Sequence, residues 1–131
     1  MKTRPKGGTT GELTFRIESK HAIDFTEGGM PAVLSTPNLI GFLERTARET
    51  IADCLDEDER SVGTEIEIRH LGPTPVGQSV HCIARVVHAE GRDITFHVEA
   101  RDECEVIARG LHKRHVVRVD RFAKRVREKS G

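Results

Sequence analysis

The chain has no tryptophan, no tyrosine and only five phenylalanines among its 131 residues. So few rings leave little with which to stack nucleic-acid bases. Formal net charge is zero, with 21 Lys and Arg against 21 Asp and Glu. No global field therefore draws in polyanions, and no nucleic-acid partner is expected. No uninterrupted apolar run approaches the length of a membrane span, and Met1–Gly11 lacks the apolar segment of a secretory signal. A cytoplasmic protein with no membrane partner is the expectation. Cysteine is scarce as well. Cys54, Cys82 and Cys104 are odd in number, widely spaced and form no CxxC motif. They offer neither a disulfide framework nor a metal or redox pair, and read as thiols in a reducing compartment.

What is present fits one ordinary domain. Charged residues make up 32% and hydrophobic residues 36%, so apolar surface is in short supply and a core shared between two subunits is a natural remedy. Residues 1–10, basic and rich in Gly and Thr, read as a mobile tail preceding a single domain over 11–131. Leu13, Phe15 and Ile17 alternate with polar residues as in a strand. Ser35-Thr36-Pro37 suits a helix start, with Thr36 as N-cap and Pro37 in the first turn. From Pro37 to about Asp53, Leu39, Ile40, Leu43, Ala47 and Ile51 fall on one helical face.

Four strands follow: Val62–Leu71, Ser79–His88, Asp93–Arg101 and Glu105–Val119. In three of them the even positions carry the apolar set: Val62, Ile66 and Ile68; Val80, Cys82, Ala84 and Val86; Ile94, Phe96, Val98 and Ala100. Glu90-Gly91 and Asp102-Glu103 fit tight hairpin turns, and Pro73–Gly77 a longer connection. One strand, one long helix and four hairpin-linked strands give an α+β architecture, an antiparallel sheet of about five strands around a single central helix.

Three polar residues interrupt the apolar pattern. Glu44 projects between Ile51 and Leu55 on the helical wheel, where a carboxylate is partly desolvated and readied for acid–base or nucleophilic work; pairing with Arg48, one turn on, is the structural alternative. His70 shares the parity of Ile66 and Ile68 and so points toward the helix, where an imidazole can orient or deprotonate water. Thr36, beyond capping, sits where free N–H groups and the helix dipole can hold an oxyanion. Thr36 and Glu44 lie about 12 Å apart along one helix. A two-fold dimer, with residues of both subunits meeting at the seam, closes that gap. His112 and His115, three apart on a strand, face opposite sides; with His81, His88 and His97 outward and His21 in a loop, no metal site is expected.

Read together, Ser35-Thr36-Pro37-Asn38-Leu39-Ile40-Gly41-Phe42-Leu43-Glu44 and Gly63-Thr64-Glu65-Ile66-Glu67-Ile68-Arg69-His70 resemble the fluoroacetyl-CoA thioesterase family of hot-dog enzymes. The likeness continues through Pro73–Gly77, Glu90-Gly91-Arg92, Gly110–Arg114 and Arg121–Arg127. This resemblance implies a hot-dog acyl-CoA thioesterase, a homodimer with sites at the interface, and no cofactor beyond the coenzyme A of the substrate. Matched motif by motif, it assigns catalytic roles to Thr36, Glu44 and His70, and places Gly63 and Arg114 beside substrate or water. Two departures stand out. The family's phenylalanine-rich lid is replaced by Thr26-Glu27-Gly28-Gly29-Met30-Pro31, and Pro37 follows Thr36 where a glycine is expected. General acyl-CoA hydrolysis is therefore the expectation rather than fluoroacetyl-CoA in particular.

The same fold also hosts non-catalytic acyl-CoA binders, which release no thiol, and hydratases or dehydratases, which an enoyl-CoA assay separates. The last stretch of the chain is basic: from Leu111 onward eight Lys and Arg face only Asp120 and Glu128. It reads either as a partner for coenzyme A phosphates or as a solvated amphipathic tail.

Overall fold

A computed structural model describes all 131 residues. Its elements are β1 (Thr10–Arg16), α1 (Thr36–Thr50), β2 (Glu59–His70), β3 (Ser79–Glu90), β4 (Asp93–Arg101), β5 (Val106–Arg118) and α2 (Val119–Ser130). The strands form one antiparallel sheet in the order β1-β3-β4-β5-β2. The sequence between the two edge strands contains α1, which crosses the sheet and packs against β1, β2, β3 and β4. This is the expected α+β arrangement. The basic stretch after the last strand forms a second helix, α2, where the sequence pattern predicts one helix only.

Alternation explains the core. Val80, Cys82, Ala84 and Val86 of β3 and Ile94, Phe96, Val98 and Ala100 of β4 are fully buried, as strict period-two patterning on one covered face requires. Leu39, Leu43 and Ala47 of α1, with Ile51 just past its end, fill the opposite side. α1 stops at Thr50 rather than near Asp53, and a 3-10 turn over Ala52–Cys54 follows. Burial pushes the Cys82 thiol up to about 12, so it is an inert core group.

The regular alternation fails in β2. A bulge lies between Gly63 and Glu65, where Thr64 has no partner opposite it on β5. Such an extra residue shifts the phase of the strand by one. Glu59 and Ser61 are buried ahead of it, whereas Ile66, Ile68 and His70 turn inward after it. Val62 therefore does not belong to the inward set expected from its even number. Glu59 opens β2. Its carboxylate accepts from Asp56 N at 2.9 Å and from Arg92 Nη1 at 3.0 Å, and lies 3.0 Å from the Met1 ammonium. The Asp56 N–H, then the ammonium, hold it down at about 2 against the cost of burial.

The opening residues lie along this framework: Gly8 N–H donates to Val86 O, and Val86 N–H to Thr9 O. No helix is long and apolar enough to cross a membrane.

Gly110 permits the closest approach of β5 to β2. A Cβ there would collide with Glu67 O and lie 2.7 Å from Ile68 Cα, both backbone atoms that cannot swing aside. Gly110→Ala is expected to lower unfolding free energy by about 1–3 kcal/mol, the usual cost of forced overpacking. Urea denaturation would show it, and an unchanged midpoint would mean that β2 and β5 separate freely.

Candidate active site

Two clusters of the singled-out residues form on α1, one at its start and one two turns along. At the start, the cap is Ser35, not Thr36. Ser35 is extended, and its hydroxyl accepts from Asn38 N at 3.3 Å and from Asn38 Nδ2 at 2.7 Å. The segment before it is pinned by Leu34 N–H to Thr74 O and Ser35 N–H to His21 O. Thr74 in turn donates to Asp102 Oδ2 at 2.9 Å inside the molecule. Because Ser35 satisfies the helix end, the Thr36 hydroxyl is free for another partner.

That partner is His70. Thr36 Oγ1 and His70 Nδ1 are hydrogen-bonded at 2.8 Å. They meet because β2, once past the bulge, carries His70 inward at its end, directly at the first turn of α1. Burial lowers the His70 pKa below the ordinary histidine value, which favours neutral imidazole, the form that can accept a proton. Its Nε2 is buried and makes no hydrogen bond within the chain. The pair borders a cleft of about 320 Å³ whose walls include Ile23, Phe25, Met30, Val33 and Leu34.

The second cluster surrounds Glu44. Its carboxylate does not pair with Arg48 but with Arg114, at 3.5 Å from Nη1. Arg114 is only 4% exposed and its donors are met from several sides. Nε donates to Ser61 Oγ and Nη2 to Ser61 O, each at 2.8 Å. Nη1 lies 3.1 Å from His112 Nε2. His112 Nδ1 faces the Glu65 carbonyl at 2.8 Å. A carbonyl only accepts and a guanidinium only donates, so His112 is neutral and carries its proton on Nδ1. Burial, reinforced by the Arg114 charge, lowers its pKa accordingly.

Gly63 belongs here for a steric reason: a Cβ would collide with Glu44 Oε2 and lie 3.2 Å from His112 Cε1. The glycine leaves room for the carboxylate to lie flat against the strand.

Glu44, Gly63 and Arg114 thus converge, as do Thr36 and His70, while eight residues of one helix keep the two groups apart. Sequence reading passed over His112 because it compared it only with His115. The available signal was parity: His112 shares the even, inward set of Ala108, Arg114 and Val116, all buried. Ser61 lies outside the expected strand, which began at Val62, whereas β2 begins at Glu59. No three His, Cys, Asp or Glu side chains converge as metal ligands would.

Comparison with known proteins gives a consistent result. Residues 17–120 match the family described as fluoroacetyl-CoA-specific thioesterase. A fluoroacetyl-CoA thioesterase from Streptantibioticus cattleyicolor is 33% identical over 100 residues, spanning 76% of this chain and 72% of that protein. A solved phenylalanine-to-alanine mutant of fluoroacetyl-CoA-specific thioesterase superposes with a TM-score of 0.89 at 28% identity, over 95% of this chain and 97% of the other. A hot-dog-like protein from Thermanaerovibrio acidaminovorans is 26% identical with a TM-score of 0.87, over 95% and 93% of the two chains. The sheet wrapped on α1 is the hot-dog fold.

The two buried histidines have a consequence for stability. Both have folded pKa values below the ordinary 6.5, so unfolding takes up protons below that pH. Their contribution is complete above about pH 6.5 and is lost as pH falls through the lowered folded values. Unfolding free energy from urea titration is expected to drop between pH 7.5 and 5.5, and by less in His112→Gln. A flat profile would contradict neutral, buried imidazoles.

Proposed function

We propose that this chain, which belongs to the fluoroacetyl-CoA-specific thioesterase family and is a thioester hydrolase of the hot-dog fold, hydrolyses small acyl-CoA esters by way of Glu44, Thr36 and His70. The observation that carries this reading is the Glu44 carboxylate held between the buried Arg114 guanidinium and the open flank of Gly63. That arrangement aims an anionic oxygen without locking it away, since the side chain remains 41% exposed.

Hydrolysis requires a nucleophile at the thioester carbonyl, a site for the oxyanion and a proton for the departing thiolate. Glu44 supplies the first, either by deprotonating a water or by attacking the carbonyl to give a mixed anhydride that water then opens. Thr36 Oγ1 and the unbonded N–H groups of the first turn of α1 face the developing oxyanion. His70, hydrogen-bonded to Thr36, orients the water and relays the proton. Arg114 keeps Glu44 in place, and Gly63 leaves space for the water or the acyl group.

The separation of the two clusters supports a homodimer. Eight residues of helix put about 12 Å between Thr36 and Glu44, more than a single carbonyl spans. β2, twelve residues long, is an edge strand of the sheet, with a row of unpaired backbone groups on its free side. Antiparallel pairing of two β2 edges about a two-fold axis would continue the sheet and set the sites of both subunits along the seam. In the acyl pocket, the cleft beside Thr36 is walled largely by aliphatic groups and Phe25, and the stretch Thr26–Pro31 contains no aromatic ring. Such a wall suits a small aliphatic acyl group and does not single out fluoroacetyl.

Free-thiol release over a panel of acyl-CoA esters, acetyl and fluoroacetyl included, tests the reading. Glu44→Gln and His70→Ala are each expected to lower kcat by about 100-fold or more; near-wild-type turnover in both would remove them from the mechanism. Gly63→Ala leaves the sheet intact but displaces the Glu44 carboxylate. Its kcat is expected to fall by ~10–100-fold with little change in KM, the penalty of a misplaced reacting group. Unaltered kcat would show that Glu44 needs no such clearance.

A further inference from the structure

His112 takes no part in the chemistry proposed above, yet it is 1% exposed and lies against the group that holds Glu44. A buried imidazole has two nitrogens to satisfy, and here each has its own partner. Nδ1–H donates to the Glu65 carbonyl at 2.8 Å, just past the bulge of β2. Nε2, the lone-pair nitrogen, accepts from Arg114 Nη1 at 3.1 Å. The ring has little freedom to turn. Phe96 of β4 stacks on it, with centroids 6.1 Å apart and planes 26° from parallel, and Gly63 borders its Cε1 edge.

Nη1 is the nitrogen that also faces Glu44, whose Oε2 lies 3.5 Å away. Ser61 fixes the rest of the guanidinium through Nε and Nη2. A planar fork held along that one side can still tilt, and an acceptor at Nη1 removes the tilt. Resting on the thioesterase reading above, we propose that His112 is a positioning residue for the reaction: by accepting from Arg114 Nη1, it sets where Arg114 holds the Glu44 carboxylate. The gap between Nη1 and Glu44 exceeds the usual span of a charge-assisted hydrogen bond, about 2.7–2.9 Å. The carboxylate is therefore held by charge and keeps its lone pairs for water or the thioester carbonyl. His112, with the shorter contact, keeps Nη1 from closing that gap. Only the neutral ring does this, because a proton on Nε2 would set a second donor and a second cation against the guanidinium. The charged groups around the ring are Arg114 of β5 and Glu44 of α1, with Arg48 of α1 acting on Arg114. β2 and β4 present the Glu65 carbonyl and the Phe96 ring, which carry no charge.

The experiment compares wild type with His112→Leu and His112→Gln on the best-hydrolysed acyl-CoA ester. Leucine accepts no hydrogen bond, whereas the glutamine amide keeps an acceptor for Arg114 but does not titrate. His112→Leu is expected to lower kcat by about tenfold or more with KM little changed, and His112→Gln to regain most of that loss. His70 and His112 are both neutral in the working enzyme. The wild-type kcat is therefore expected to fall more steeply with falling pH than that of His112→Gln, which keeps only the His70 limb. Full kcat in His112→Leu, equal losses in the two variants, or equally steep acid limbs each overturn the assignment. Nitrogen-15 spectra of histidine-labelled wild type, assigned by the signal missing from His112→Gln, read the ring without turnover. A neutral ring protonated on Nδ1 supports the proposal even if no ester is hydrolysed, a result that counts against the thioesterase reading alone. A ring protonated on Nε2, or on both nitrogens near neutral pH, could not accept from Arg114 and overturns it.

Discussion

A guanidinium removed from water must have its donors met, or the fold loses several kcal/mol. Arg114 is the place where this requirement shapes the molecule. Its three nitrogens call for acceptors on different elements, and Ser61 of β2, His112 of β5 and Glu44 of α1 supply them. To offer both its hydroxyl and its carbonyl, Ser61 must face inward on an odd position, whereas His70, farther along the same strand, must face inward on an even one. The bulge at Thr64 reconciles the two. Through one buried charge, the register of β2 on β5, the placement of Glu44 and the inward turn of His70 become parts of a single arrangement.

Much of this could be read from the chain. The uninterrupted even-numbered apolar sets of β3 and β4 defined the central strands, and the spacing of Leu39, Leu43 and Ala47 defined the buried face of α1. Thr36, Glu44 and His70 were identifiable as polar residues in apolar surroundings, and family likeness added Gly63 and Arg114. What escaped was anything dependent on phase or on competition between neighbours. A bulge adds one residue with no compositional mark, so Val62 was placed on the wrong face, and Ser61 fell outside a strand expected to begin at Val62. Ser35 and Thr36 are both good capping residues, and only the backbone decides that Ser35 caps. Val119, Phe122 and Val126 of α2 stand at i, i+3 and i+7, a helical spacing that supports an amphipathic tail, but their exposure leaves the helix no place in the core.

The two halves of the site differ in how firmly they are built. Around Arg114 nearly every polar atom has a partner across elements, and the glycine opposite leaves no slack. The cleft beside Thr36 is instead bordered by the irregular segment from Ile23 to Leu34, tied down by two isolated bridges, Ala22 to Leu34 and Val33 to Pro75. Phe25 and Met30 on it are exposed. The Glu44 cluster thus rests on α1 and the β2–β5 pair, while the wall of the cleft rests on a loop, where residues change with little cost to the core.

The strand order also bears on how the protein comes together. β3, β4 and β5 follow one another through short turns, so their pairings close small loops. β2, by contrast, is next in sequence to α1 and β3 yet pairs only with β5, across the whole length of two intervening strands. Loop closure of that kind is entropically costly until the intervening hairpins exist. The topology therefore favours a sequence of assembly in which a β3-β4-β5 meander forms first and β2 docks onto its finished edge. The Ser61–Arg114 contacts that hold Glu44 form only across that last seam. A nascent or partly unfolded chain can hold most of its sheet and still lack the cluster that holds Glu44.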